Sequence, residues 1–221
     1  KIRAQRQMGA VLLDRRKVKF WQKIVFSFMA VLMVVFIMGY AGFSWLGCDE
    51  QQSATEQIDQ EVVAQEAAVA AAPEDAQEWV ALGQLYVERG NLHPPESDAQ
   101  RSDLNKAAAA YTRADDLLKK EEGQEVKQER LDVLKNLVDV QLFLQDYAGA
   151  TSTYGIITGL TPEDSQAYFE MASVAINAGD TSTALLAFNR FLELDPDSPD
   201  APAVEEWIEQ NTPSTSSSPS D

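Results

Sequence analysis

The chain has 221 residues, with 18 basic and 35 acidic side chains, a formal net charge of −17 and one cysteine. An acidic balance of this size speaks against nucleic acid as partner, because attraction to phosphate needs clustered Lys and Arg. A lone cysteine cannot close an internal disulfide, so any folded part must hold together by packing alone.

The charge is unevenly placed. Lys1, Arg3, Arg6, Arg15, Arg16, Lys17, Lys19 and Lys23, opposed only by Asp14, give residues 1–23 a net +7, and the chain beyond Gly47 carries −24. Between them Ile24 to Gly47 reads IVFSFMAVLMVVFIMGYAGFSWLG, twenty-four positions without a charged side chain. At about 1.5 Å per residue such a helix extends about 36 Å, enough to span a bilayer core of about 30 Å with modest tilt. A core helix is rarely apolar on every face for this length. Residues 24–47 are therefore expected to be a single transmembrane helix. The basic segment 1–23 is expected on the cytoplasmic side and the acidic remainder outside, periplasmic or extracellular, in an inner or plasma membrane. Trp21 and Trp45 sit where the amphipathic indole prefers to be, at the two headgroup boundaries.

A cleaved secretory signal is the poorer reading, since its apolar region is shorter and ends at a small-x-small site that is missing here. Trp45-Leu46-Gly47-Cys48 partly resembles a bacterial lipoprotein box, with Gly immediately before the cysteine but Trp45 where that pattern has Leu. Lipidation of Cys48 is the alternative to a plain interfacial thiol, and intact mass separates them. Residues 48–72 are rich in Ala, Gln and Glu and free of Gly and Pro, a composition that favours a helical or partly helical spacer ending at Pro73. With few large apolar residues to dock it, a disordered tether is the alternative.

From residue 73 to about 210 no strand-like alternation appears. Apolar residues recur at helical spacing, broken at Gly90, Pro94, Pro95, Gly123, Gly159, Pro162, Gly179 and Pro196. An all-α domain is expected, with helices near Ala76 to Arg89, Asp103 to Lys120, Val126 to Gln145, Tyr147 to Gly159, Glu163 to Asn177, Thr181 to Leu194 and Pro199 to Glu209. Ala150, Tyr154 and Pro162 recur as Ala184, Phe188 and Pro196, each displaced by 34 residues. Trp79, Leu82, Gly83, Tyr86 and Gly90 then follow the order W-x-x-L-G-x-x-Y-x-x-x-G, and Ala107, Tyr111 and Ala114 supply a second helix. In period and residue types this region resembles a tetratricopeptide repeat domain. The resemblance implies an α-solenoid of about three helix pairs plus a capping helix, as in bacterial membrane-anchored repeat proteins. A weaker similarity is to the repeat domains of cytochrome c biogenesis factors.

Small residues at Gly83, Ala107, Ala150, Ala172 and Ala184 suit close helix approach, and Trp79, Tyr86, Tyr111, Tyr154 and Phe188 suit the spaces between. Gly90 and Gly179 are expected at turns, where a left-handed backbone is cheap for glycine. The second pair departs from the pattern, holding Leu134, Val138 and Gln141 at the first-helix Trp, Gly and aromatic positions. Extra residues centre on HPPESDAQRS and KKEEGQEVK. Val204, Trp207 and Ile208 form a stripe suited to closing the stack, and residues 211–221 are expected to be a disordered tail.

The resemblance implies a concave protein-binding groove lined by the first helix of each pair. Its positions fall on Gln77, Val80, Gln84, Val87 and Glu88; on Asp132, Lys135, Asp139, Leu142 and Phe143; and on Gln166, Phe169, Ser173, Ile176 and Asn177. Apolar members suit an extended or helical peptide, and the amides and carboxylates suit its backbone and basic side chains. Some apolar members alternatively pack under a neighbouring helix; Leu142 and Phe143, adjacent in sequence, cannot both point the same way. Repeat domains that clamp a C-terminal carboxylate carry several Lys, Arg and Asn there, whereas this set holds only Lys135, so that activity is not expected.

No metal-ligand spacing, phosphate loop or nucleophile-base arrangement is visible, and His93 reads as an exposed loop residue. No cofactor, metal or catalytic activity is expected. The leading reading is an anchored scaffold or assembly factor that binds another protein or peptide. The alternatives are an apocytochrome c-holding biogenesis factor, or an accessory subunit of a multisubunit membrane complex. In the latter the apolar helix itself docks sideways, Gly39 and Gly42 permitting close approach.

Overall fold

A computed structural model describes residues 54–212, and all regular structure among them is helical. The apolar run Ile24 to Gly47, Cys48 and the tail beyond Thr212 lie outside the described residues. No helix among those described is long and apolar enough to cross a membrane. The helices are α1 (54–71), α2 (Ala76–Leu92), α3 (Asp98–Leu118), α4 (Gln124–Phe143), α5 (Tyr147–Leu160), α6 (Ser165–Asn177), α7 (Thr181–Leu194) and α8 (Ala201–Asn211).

Five starts share one chemistry. The side chains of Asp75, Ser97, Asp146, Asp164 and Asp180 accept from the backbone N–H two or three residues on, at 3.0, 3.2, 2.9, 3.3 and 3.0 Å. Each satisfies a donor that the first helical turn leaves open. From α2 to α8 every helix packs on its neighbours in the chain, so α2/α3, α4/α5 and α6/α7 form three consecutive pairs followed by α8. The extra residues of the first two pairs lengthen helices instead of forming long loops: α3 begins at Asp98 and runs 21 residues, and α4 runs 20.

The small residues are buried in the packed interior. Ala107, Ala150, Ala172 and Ala184 are all fully buried, and Tyr86, Tyr111 and Phe188 fill the spaces around them. The helix that departs from the repeat pattern is nonetheless well packed, with Leu134 and Val138 buried and Gln141 accepting from the Thr153 hydroxyl at 2.8 Å.

Gly179 takes the expected left-handed backbone with φ of 75°. Gly90 does not: it lies buried inside α2, two residues before the helix ends. The left-handed residue in that connection is Glu96 (φ 61°), and Gln145 (φ 60°) serves between α4 and α5.

Residues 54–71 do more than space the stack from what precedes it. Ile58, Val62 and Val69 are buried, and the latter two join the core that holds Leu82, Tyr86 and Leu104. Polar contacts reinforce this. Gln65 Nε2 donates to the Glu78 carbonyl at 3.0 Å, the Tyr86 hydroxyl donates to Glu66, and Arg89 reaches Asp59 at 3.4 Å. The turn into α2 is held by the Trp79 indole donating to the Pro73 carbonyl at 3.0 Å and by Arg113 paired with Glu74 at 2.9 Å. At the other end Trp207 of α8 meets Phe188 edge-on, with centroids 5.2 Å apart, and Val204 is buried beside it.

Candidate functional site

The first helices of the three pairs, α2, α4 and α6, meet along one face. Gln77 Nε2 of α2 donates to Glu129 Oε1 of α4 at 2.5 Å. Further along, Lys135 and Asp139 of α4 and Gln166 and Glu170 of α6 line a cleft of about 380 Å³, with Tyr154 of α5 and apolar Val138, Ile157 and Ala167. The 3 and 4 spacing of Asp132, Lys135 and Asp139 puts these side chains on one stripe of α4.

Three carboxylates line this cleft, Asp139, Asp164 and Glu170, of which Asp164 caps α6 by accepting from the Ala167 N–H. Each oxygen of Glu170 accepts one bond, from the Tyr154 hydroxyl and from Gln166 Nε2, both at 3.0 Å. Partial desolvation, and secondly the charge of Glu170, push the Asp139 carboxyl above the usual range. Burial, followed by the Glu170 charge, likewise raises the Tyr154 phenol, which stays a neutral donor.

The groove positions sort into two groups. Gln77, Gln84, Glu88, Asp132, Lys135, Asp139, Phe143, Gln166, Ile176 and Asn177 are exposed. Val80 and Val87 are half-buried against the first core cluster, and Leu142 against the middle one. Phe169 lies among Phe188 and Phe191 of α7, with centroids 5.8 and 5.3 Å away, so its ring works inside its own helix pair. Ser173 is half-buried and its hydroxyl is spent on the Phe169 carbonyl at 2.8 Å. Leu142 and its neighbour Phe143 do diverge, the latter being 55% exposed. Glu170 escaped the sequence reading, although it stands four residues after Gln166 on the same helix stripe.

His93 is half-buried, not free in its loop, with Nε2 3.1 Å from Asp103 Oδ2. Asp103 is buried and also holds Arg89 through two bonds of 2.9 and 2.5 Å. The cluster ties α2 to α3, and Asp59 extends it to α1. A second cleft of about 520 Å³ lies along α3, α4 and the start of α5, lined by Arg101, Asn105, Thr112, Leu137, Gln141 and Asp146.

No family model and no curated protein matches the chain. Among solved structures it is similar to the crystal structure of MamA, at 13% identity over 72% of this chain and 84% of that one, with a TM-score of 0.45. A second MamA crystal structure shares 18% identity over 66% of this chain and 87% of that one, with a TM-score of 0.26. The APC/C hetero-tetramer Cut9-Hcn1 shares 13% identity over 72% of this chain and 40% of that one, with a TM-score of 0.38. Likenesses this distant carry no functional argument, and the paired-helix architecture stands on the chain's own contacts.

Proposed function

We propose that the chain is a membrane-anchored scaffold or assembly factor whose helical stack holds another polypeptide on the face formed by α2, α4 and α6. The observation that carries this reading is the cleft between α4 and α6, two helices that also expose Phe143 and Ile176; Val63, Ile156 and Leu186 are exposed on α1, α5 and α7. Exposed apolar side chains interleaved with hydrogen-bonding groups suit an unfolded or extended partner. The anchor reading is supported by the uncharged run Ile24 to Gly47 and the +7 segment before it, a charge pattern that favours an extracytoplasmic stack.

Co-purification after mild detergent extraction, repeated with Phe143→Asp plus Ile176→Asp, tests the docking face. Both positions are exposed, so the double variant is expected to fold and to lose its partner. Unchanged recovery would sink the face as the main contact and shift attention to the apolar run. Protease applied to sealed spheroplasts tests the topology: the acidic portion should be digested, and full protection would overturn the outside placement.

A further inference from the structure

We propose that the polypeptide held on this face is basic, and that the cleft between α4 and α6 seats one of its lysine or arginine side chains, with Asp139 and Glu170 as the receiving carboxylates. This deepens the docking reading and rests on it.

Two buried carboxylates of this chain each have a cation partner, whereas the cleft holds a half-buried one, Glu170, and an exposed one, Asp139. Asp103 is paired with Arg89, and Asp115 with Arg130 at 2.6 Å. In the cleft the same chain does otherwise. Glu170 receives only neutral donors, from Tyr154 and Gln166, and Asp139 makes no hydrogen bond or ion pair. Lys135, which also lines the cleft, forms no salt bridge within 4 Å to either. Desolvation, and then the charge of Glu170, disfavour the ionised Asp139 in the cleft, a cost that an incoming cation relieves.

The surroundings suit the whole side chain and not merely its charge. Val138, Ile157 and Ala167 give the cleft an apolar wall for the methylene stem of lysine or arginine, with the head group reaching the carboxylates. Exposed Glu88 of α2 and Asp132 of α4 add negative charge on the first helices of the pairs, complementary to a segment carrying several positive charges.

Fluorescence anisotropy on the full chain in neutral detergent tests this with three labelled peptides of about a dozen residues. One alternates Lys with Ala, one replaces Lys by Gln, and one replaces Lys by Glu. The Lys peptide is expected to bind about tenfold or more tightly than the Gln peptide, and the Glu peptide more weakly still. Asp139→Asn with Glu170→Gln should cost the Lys peptide about tenfold and leave the Gln peptide unchanged. Glu205→Gln with Glu206→Gln on exposed α8 removes the same charge elsewhere and should change neither affinity. Equal binding of the Lys and Gln peptides, or an equal loss in the α8 control, would overturn the cation seat while the docking reading survives. Failure of all three peptides to bind the unsubstituted chain would overturn the docking reading itself.

Discussion

Two glycines of α2 look alike in sequence and differ in what surrounds them. A Cβ on Gly83 would come within 2.7 Å of the buried Tyr111 ring, while one on Gly90 would meet Asp103 and Leu104 at an ordinary 3.6 Å. Gly83→Ala is therefore expected to destabilise by about 1–3 kcal/mol through overpacking. Gly90→Ala should stabilise by roughly 0.5–1 kcal/mol, because alanine loses less backbone entropy in a helix. Urea denaturation of the two variants checks the pair, and a loss at Gly90 would mean that the α2/α3 crossing is tighter than it stands here.

Asp139 makes a second prediction at this scale. Its folded-state affinity for protons is raised, first by desolvation and then by Glu170, so its ionised form costs stability. The sign is opposite to that of a salt-bridged carboxylate: the cost is present above the folded pKa and disappears as the pH falls through it. Asp139→Asn should thus raise the melting temperature at neutral pH, and the difference from the parent should shrink on acidification. A lower melting temperature at neutral pH would show that the carboxylate is satisfied in the fold.

At the scale of the element, α1 is the helix whose role depends most on its neighbours. Ile58, Val62, Gln65 and Val69 recur at spacings of 4, 3 and 4, a stripe one side chain wide in a run otherwise mostly of Ala, Glu and Gln. So narrow a stripe has little pull by itself, and composition alone left a helical spacer and a loose tether both open. What docks it is the matching surface of α2, where Tyr86, Arg89 and Glu78 offer partners to Glu66, Asp59 and Gln65. A fragment of residues 73–212 is expected to be less stable than one of 54–212 by at least about 2 kcal/mol, since three branched side chains lose their burial. Coincident urea midpoints would place α1 outside the cooperative unit. The element-level reading of Phe169 also changes: its substitution would disturb the α6/α7 core, so loss of binding in such a variant would not report on the face.

For the molecule as a whole, the sequence determined the helices, their pairing period and the small residues at the crossings. These follow from local preferences: apolar spacing of three and four, Asp or Ser before the first turn, and a 34-residue recurrence that relates the second helices of the last two pairs. The charge-free run and its basic flank are also plain in the sequence, as contiguous segments. Only the tertiary structure decided which side of each helix is free. Phe143 and Ile176 face solvent while Phe169, Val80 and Leu142 pack inward, Gly90 serves within a helix instead of at a turn, and Glu170 meets Asp139 across a cleft. Each of these depends on the angle and register at which separate helices cross, fixed by contacts between residues far apart in the chain that no local pattern records.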